Sequence, residues 1–170
     1  MAYNLERVTK EFNAVCEKAG TPCKVPVTIN GRLSRTLGRV CYTVNSTGYA
    51  KSTKVEFSRQ LLETSTDESI RDVILHEAAH YILTERTHEE HGHDSMFKKV
   101  CAEIGTTNDK TTTKVERTVA EESLYKYIVY CPTCKKVVGG YRRMCKTLQN
   151  LDNCYCNLCK KDGLIMKQNW

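Results

Sequence analysis

Two histidines four residues apart, with a glutamate directly after the first, form the segment that most sharply specifies a chemistry: His76-Glu77-Ala78-Ala79-His80. On a helix this spacing is about one turn, so both imidazoles leave the same face and reach one zinc ion through nitrogens at roughly 2.0 to 2.1 Å. Glu77 projects beside that metal without binding it. There it can accept a proton from a water acidified by zinc and deliver it to a leaving amine. These residue types predict hydrolysis of a peptide bond, with His76 and His80 as ligands and Glu77 as general base. All five histidines, His76, His80, His88, His91 and His93, fall within eighteen consecutive residues. A chain using histidine only as a surface residue has no reason to gather them.

A catalytic zinc usually takes three protein ligands and leaves a fourth position open. The donor after His80 is not fixed by spacing alone. Leu83 and Arg86 stand where a metzincin places its glycine and third histidine, which excludes that arrangement. Glu103 lacks the usual partner acid four residues later, where Thr107 stands. The histidines of the following loop remain, with His88 and His91 expected to be solvent-exposed if they are not used.

Of ten cysteines, Cys16, Cys23, Cys41 and Cys101 are scattered, whereas Cys131, Cys134, Cys145, Cys154, Cys156 and Cys159 crowd near the end. The start has neither the basic nor the apolar region of a secretory signal, so a reducing cytoplasmic setting is expected, where paired thiols favour metal over disulfides. Cys131-Pro-Thr-Cys134 and Cys156-Asn-Leu-Cys159 are two CxxC knuckles 21 residues apart, close to the spacing of a four-cysteine zinc ribbon. Such a site is closed and structural. It supplies folding energy that some fifty residues lack on their own.

The net charge of +6 is uneven. Residues 1–115 carry 16 Lys or Arg against 15 Asp or Glu, and residues 116–170 carry 10 against 5, so +5 lies after residue 115. Lys135, Lys136, Arg142, Arg143, Lys146, Lys160, Lys161 and Lys167 are interleaved there with Tyr125, Tyr127, Tyr130, Tyr141, Tyr155 and Trp170. Cations for phosphates and flat rings for unpaired bases are what a single-strand binder uses. Tyr130 and Tyr155, next to ligands, are expected in the ribbon core. No apolar run is long enough for a membrane helix.

The elements that must position these groups follow from periodicity. Leu5, Val8, Phe12, Val15 and Cys16 predict a helix over 4–19, ended by Gly20 and Pro22. Three short strands follow, over 25–30, 38–45 and 54–58, the first demoted to a sheet edge by Pro26. Ser65 with Glu68 reads as a capping box opening the histidine-bearing helix, which runs to about Thr84. Phe97, Val100, Cys101 and Ile104 predict a second helix, capped by Asp94 or Ser95 and ended by Gly105. Residues 106–113 have no apolar residue and read as a linker.

The run His76 to His80, followed by Gly92-His93-Asp94-Ser95-Met96-Phe97, resembles the SprT-like metalloproteases, which include the Spartan DNA-protein crosslink proteases. The resemblance implies that His93 is the third zinc ligand, with His91 the alternative, and that Phe97 is a buried anchor. It also implies protein substrates bound or crosslinked to DNA. The expected architecture is α+β: a zincin-like protease domain with a three-stranded sheet over 1–105, a linker over 106–124 and a zinc ribbon over 125–170. Two Zn2+ per chain are expected, one catalytic and one structural. A zinc peptidase unrelated to DNA, and a non-catalytic nucleic-acid-binding protein on a zincin scaffold, are the alternatives.

Overall fold

The computed structural model describes residues 3–33, 36–107 and 121–170. The chain divides into two units, residues 1–118 and 119–170. Both mix helix with a three-stranded sheet, so the fold is α+β. Most of the expected linker, residues 108–120, lies outside the described residues.

The first unit opens with α1 (Leu5–Lys18), whose Asn4 side chain accepts from the Arg7 N–H at the start. Gly20, at φ 69°, ends it. Its backbone N–H donates to Glu17 and that of Thr21 to Cys16, both at 2.9 Å, satisfying the last carbonyls. Val8, Phe12 and Cys16 form the buried stripe. The sheet has the order β1 (Val27–Asn30), β3 (Ala50–Ser58), β2 (Gly38–Val44), with β1 parallel and β2 antiparallel to the central β3. Val55 sits between Val27 and Val40, and β1, which follows Pro26, is indeed an edge.

β3 begins four residues before the expected Lys54. Asn45 closes the turn from β2, its side-chain oxygen accepting from the Thr47 and Tyr49 N–H groups at 3.0 and 2.9 Å. A short helix, α2 (Arg59–Thr64), was not anticipated. It displaces the expected capping box by one residue. Ser65 ends α2, and Thr66 caps α3 (Asp67–Thr87) by accepting from Ser69. Helix α3 also continues past Thr84 to Thr87, where His88 closes it in the left-handed region at φ 57°.

Helix α3 has no amphipathic stripe to speak of. Ile70, Val73, Ile74, Ala78, Ala79, Tyr81, Ile82 and Leu83 are all buried, so it is enclosed by α1, the sheet and α4 (Ser95–Glu103). The ring of Phe12 meets Phe57 of β3 at 6.1 Å and Tyr81 of α3 at 5.8 Å, both edge-on. Each fully buried side chain of this size contributes on the order of 2 to 3 kcal/mol. Arg86 ties the far end together, pairing with both carboxylate oxygens of Glu103 at 2.7 and 2.8 Å and with Thr21 at 3.2 Å. Glu103 is therefore engaged by Arg86 and does not join the histidines.

In the second unit β4 (Tyr127–Cys131) lies between β5 (Lys136–Tyr141) and β6 (Ile165–Gln168), antiparallel to both. One face carries Tyr127 and Val129 against Leu148 of the short α5 (Lys146–Gln149), with Tyr141, Leu151 and Leu164 around them. Gly140 is packed so closely under Tyr125 that a Cβ there would fall 2.5 Å from its ring. The tyrosine expectations need correction. Tyr155 is 63% exposed instead of filling the core, and Tyr130, in alternation with Tyr127 and Val129, points to the opposite face.

Candidate metal centres

Helix α3 fixes His76 and His80, and the loop from His88 to Asp94 brings His93 to them. The Nε2 of His93 lies 3.1 Å from that of His76 and 3.2 Å from that of His80. Four nitrogens around a zinc ion at 2.0 to 2.1 Å sit about 3.3 to 3.4 Å apart, so this donor set fits that ion. Phe97, fully buried on the first turn of α4, packs against all three rings at centroid distances of 5.2, 4.3 and 4.8 Å. Burial, with the neighbouring imidazoles of His76 and His93, holds His80 down to about 3. It is thus neutral at physiological pH, the form that ligates metal.

The other two histidines do not join this cluster. His88 stacks on Tyr49 at 4.3 Å. His91 turns the other way, its Nδ1 2.8 Å from the Asp94 carboxylate. Neither is the exposed side chain that was expected: His91 is 8% exposed, and His88 is half-buried. Asp94, not Ser95, caps α4, its other oxygen accepting from Met96 and Phe97 at 2.9 Å each.

Glu77 points from the same helix toward β2. It is 5% exposed, and burial pushes its carboxyl up to about 8, opposed only by a backbone hydrogen bond from Val40. Gly38 makes this contact possible, because a Cβ there would stand 2.6 Å from the Glu77 Cγ and 2.9 Å from its Oε1. Neither Gly38 nor Val40 was anticipated at the site. The one available signal was a glycine opening a strand, which marks a close approach of backbone and side chain.

In the second unit the four cysteine sulfurs of the two knuckles converge. Cys131 and Cys159 are 3.6 Å apart, and Cys134 and Cys156 3.7 Å. Zinc thiolates at 2.3 Å would be about 3.8 Å apart, whereas a disulfide is near 2.05 Å. The set therefore fits a tetrahedral ion. Cys145 and Cys154 stand outside it, one packed on the small core and the other donating to the Asn150 carbonyl. The knuckle N–H of Cys134 holds Cys131 down to about 6, and that of Cys159 lowers Cys156. Burial first, and then the neighbouring thiols, pushes Cys134 up to about 11. Lys135 and Lys160 follow the second cysteine of each knuckle in the left-handed region, at φ 55° and 60°.

All eight basic side chains singled out in this unit are exposed. Two of them, Lys135 and Lys167, line a cleft of about 680 Å3 whose walls include Ile128, Tyr130, Val137 and Trp170. Lys136, Arg142, Arg143, Lys146, Lys160 and Lys161 do not line it. Among the described residues no helix is long and apolar enough to cross a membrane.

Residues 5–120 match the SprT-like family, a span that holds the three histidines and Glu77 and stops before the cysteine knuckles. No curated protein matches the chain. More than half of the sequence is thus accounted for by one family, and the region accounted for is the one that builds the histidine cluster: the chain belongs to the SprT-like family.

Proposed function

We propose that the protein is a zinc metalloendopeptidase of zincin-like fold whose substrates are proteins bound or crosslinked to DNA, working in the cytoplasm or at its nucleic acid. The observation that carries the reading is the convergence of the His93 Nε2, at 3.1 and 3.2 Å, on the Nε2 atoms of two histidines of a helix that also buries a glutamate. His76, His80 and His93 would hold a zinc ion, which would supply a Lewis acid to polarise the scissile carbonyl and acidify water. Glu77 takes the proton of the attacking water and passes it to the departing amine. In the metal-free site burial raises its affinity for protons, and a zinc ion beside it would lower that affinity again, toward the range in which a base both accepts and releases. The Val40 N–H and the bare face of Gly38 hold the carboxyl in one pose. Phe97 keeps water from the back of the histidines.

The second unit is read as a zinc ribbon that engages DNA. Its support is the +5 charge excess after residue 115 and the cleft in which Tyr130 and Trp170 accompany Lys135 and Lys167. Aromatic faces stack unpaired bases while lysines meet phosphates.

Proteolysis of a DNA-binding protein, with and without single-stranded DNA, tests both parts. The intact chain should cleave and be stimulated by DNA, and Glu77→Gln should lose at least about a hundredfold with both metals retained. Substantial turnover by Glu77→Gln would remove Glu77 from the mechanism. Equal cleavage with and without DNA would leave a zinc peptidase unrelated to DNA. Lys135→Glu with Lys167→Glu should flatten the dependence of log affinity on log salt by roughly one per lost phosphate contact.

A further inference from the structure

His76 and His80 are presented by a helix, but His93 comes from irregular chain, directly after Gly92. A Cβ at Gly92 would meet nothing within 4 Å, so packing does not hold that residue, and glycine has the widest choice of backbone conformations. Left to itself, the loop would charge its ordering entropy against metal binding. The Asp94 carboxylate bridges the gap. Its Oδ2 meets His91 Nδ1 at 2.8 Å on one side of His93, and its Oδ1 meets the Met96 and Phe97 N–H groups on the other. The His91 side chain is 8% exposed, its Nε2 has no hydrogen-bond partner, and the nearest acid to that nitrogen is Glu89 at 3.8 Å.

We infer that His91 is a positioning residue for the histidine metal site, bonded through Nδ1 to Asp94 so that the loop carrying His93 is preorganised for the ion. The inference rests on reading His76, His80 and His93 as that site. His91 acts through Asp94 and touches neither the ion nor the substrate. Its contribution lies in the nitrogen at the δ position, which distinguishes it from a histidine that merely fills space.

The test is a zinc titration of the full chain against a chromophoric chelator, in which the ion lost in His80→Ala identifies the three-histidine affinity. His91→Ala should weaken that affinity about tenfold, the low end for residues that orient metal ligands. His91→Asn, whose Nδ2 falls where the ring Nδ1 was, should recover to within about threefold of the unmodified chain, an effect below half of a tenfold step in free energy. His91→Gln, whose amide nitrogen falls at the ε position, should remain as weak as His91→Ala. The helical circular-dichroism signal should be the same in all three. An alanine variant that binds zinc like the unmodified chain would overturn the inference. So would asparagine and glutamine variants equally weakened, because then the ring's bulk is what matters. A variant that loses the ion entirely while His93→Ala keeps it would make His91 a ligand and sink the proposal. If instead the unmodified chain and His80→Ala bind the same number of zinc ions, the metal reading itself fails.

Discussion

Replacing Glu77 by glutamine should stabilise the metal-free protein at neutral pH, in proportion to how strongly burial disfavours the carboxylate. The carboxyl rises from its ordinary 4.5 to about 8 in the folded chain. A group raised in this way contributes its full stability below about 4.5 and loses it as the pH climbs through about 8. At pH 7 the unfolded carboxyl is ionised while the folded one is still largely protonated, a difference of about 2.5 pH units or about 3 kcal/mol at 1.36 kcal/mol per unit. At pH 5 the same arithmetic leaves under about 1 kcal/mol. Glutamine keeps the shape and can accept from Val40, yet it has no charge to desolvate. Urea unfolding of chelated protein, followed at 222 nm, measures the effect. That wavelength reports the first unit, since α1, α3 and α4 hold 14, 21 and 9 residues and the second unit's helix only 4. The advantage of Glu77→Gln should grow by about 2.5 kcal/mol between pH 5 and pH 7. An advantage flat with pH would show that Glu77 is hydrated and titrates normally, which would refute both the burial and the base's raised proton affinity.

Two other outcomes follow from the contacts described. Gly38→Ala places a Cβ 2.6 Å from the Glu77 Cγ and should lower kcat/KM by about a hundredfold while zinc content, measured by elemental analysis, stays at the unmodified value. Cys159→Ser should remove one zinc ion per chain and abolish the sheet of the second unit, read by the fluorescence of Trp170 and by chemical-shift dispersion, with the 222 nm signal nearly unchanged. Such a site contributes on the order of 10 kcal/mol of apparent folding energy.

The histidine pair with Glu77 and the cysteine pair within each knuckle were legible because each rests on fixed local spacing, whereas His93 and the anchor Phe97 came from the family resemblance. A helix turn or a knuckle brings its members together whatever the rest of the chain does. The beginning of β3 was hidden because Ser52 is buried without being apolar, its N–H donating to Glu85 at 3.3 Å. The one-residue shift from Ser65 to Thr66 arose because three candidate hydroxyl residues, Thr64, Ser65 and Thr66, stand in a row, and α2 consumed the first two. Gly38 and His91 escaped for a different reason. One acts on a residue 39 positions later and the other on the orientation of a loop, and neither relation leaves a periodic trace.

The burial of α3 between Val73 and Thr84 makes the two candidate metal centres unequal partners of the fold. His93 reaches the pair on that helix only once α4, whose Phe97 packs against all three rings, has docked on it, so in the first unit a metal ion would arrive at a finished cradle. Among the described residues the second unit's buried apolar cluster is Tyr127, Val129 and Leu148, with partly buried neighbours such as Tyr141 and Leu151, little to hold three strands without the cysteine site. Scarcity of zinc would therefore strike the two units in different ways. The first would keep its folded shape and could take up the ion again on resupply. The second would come apart, exposing reduced thiols to oxidation, and would have to refold before it could take metal again.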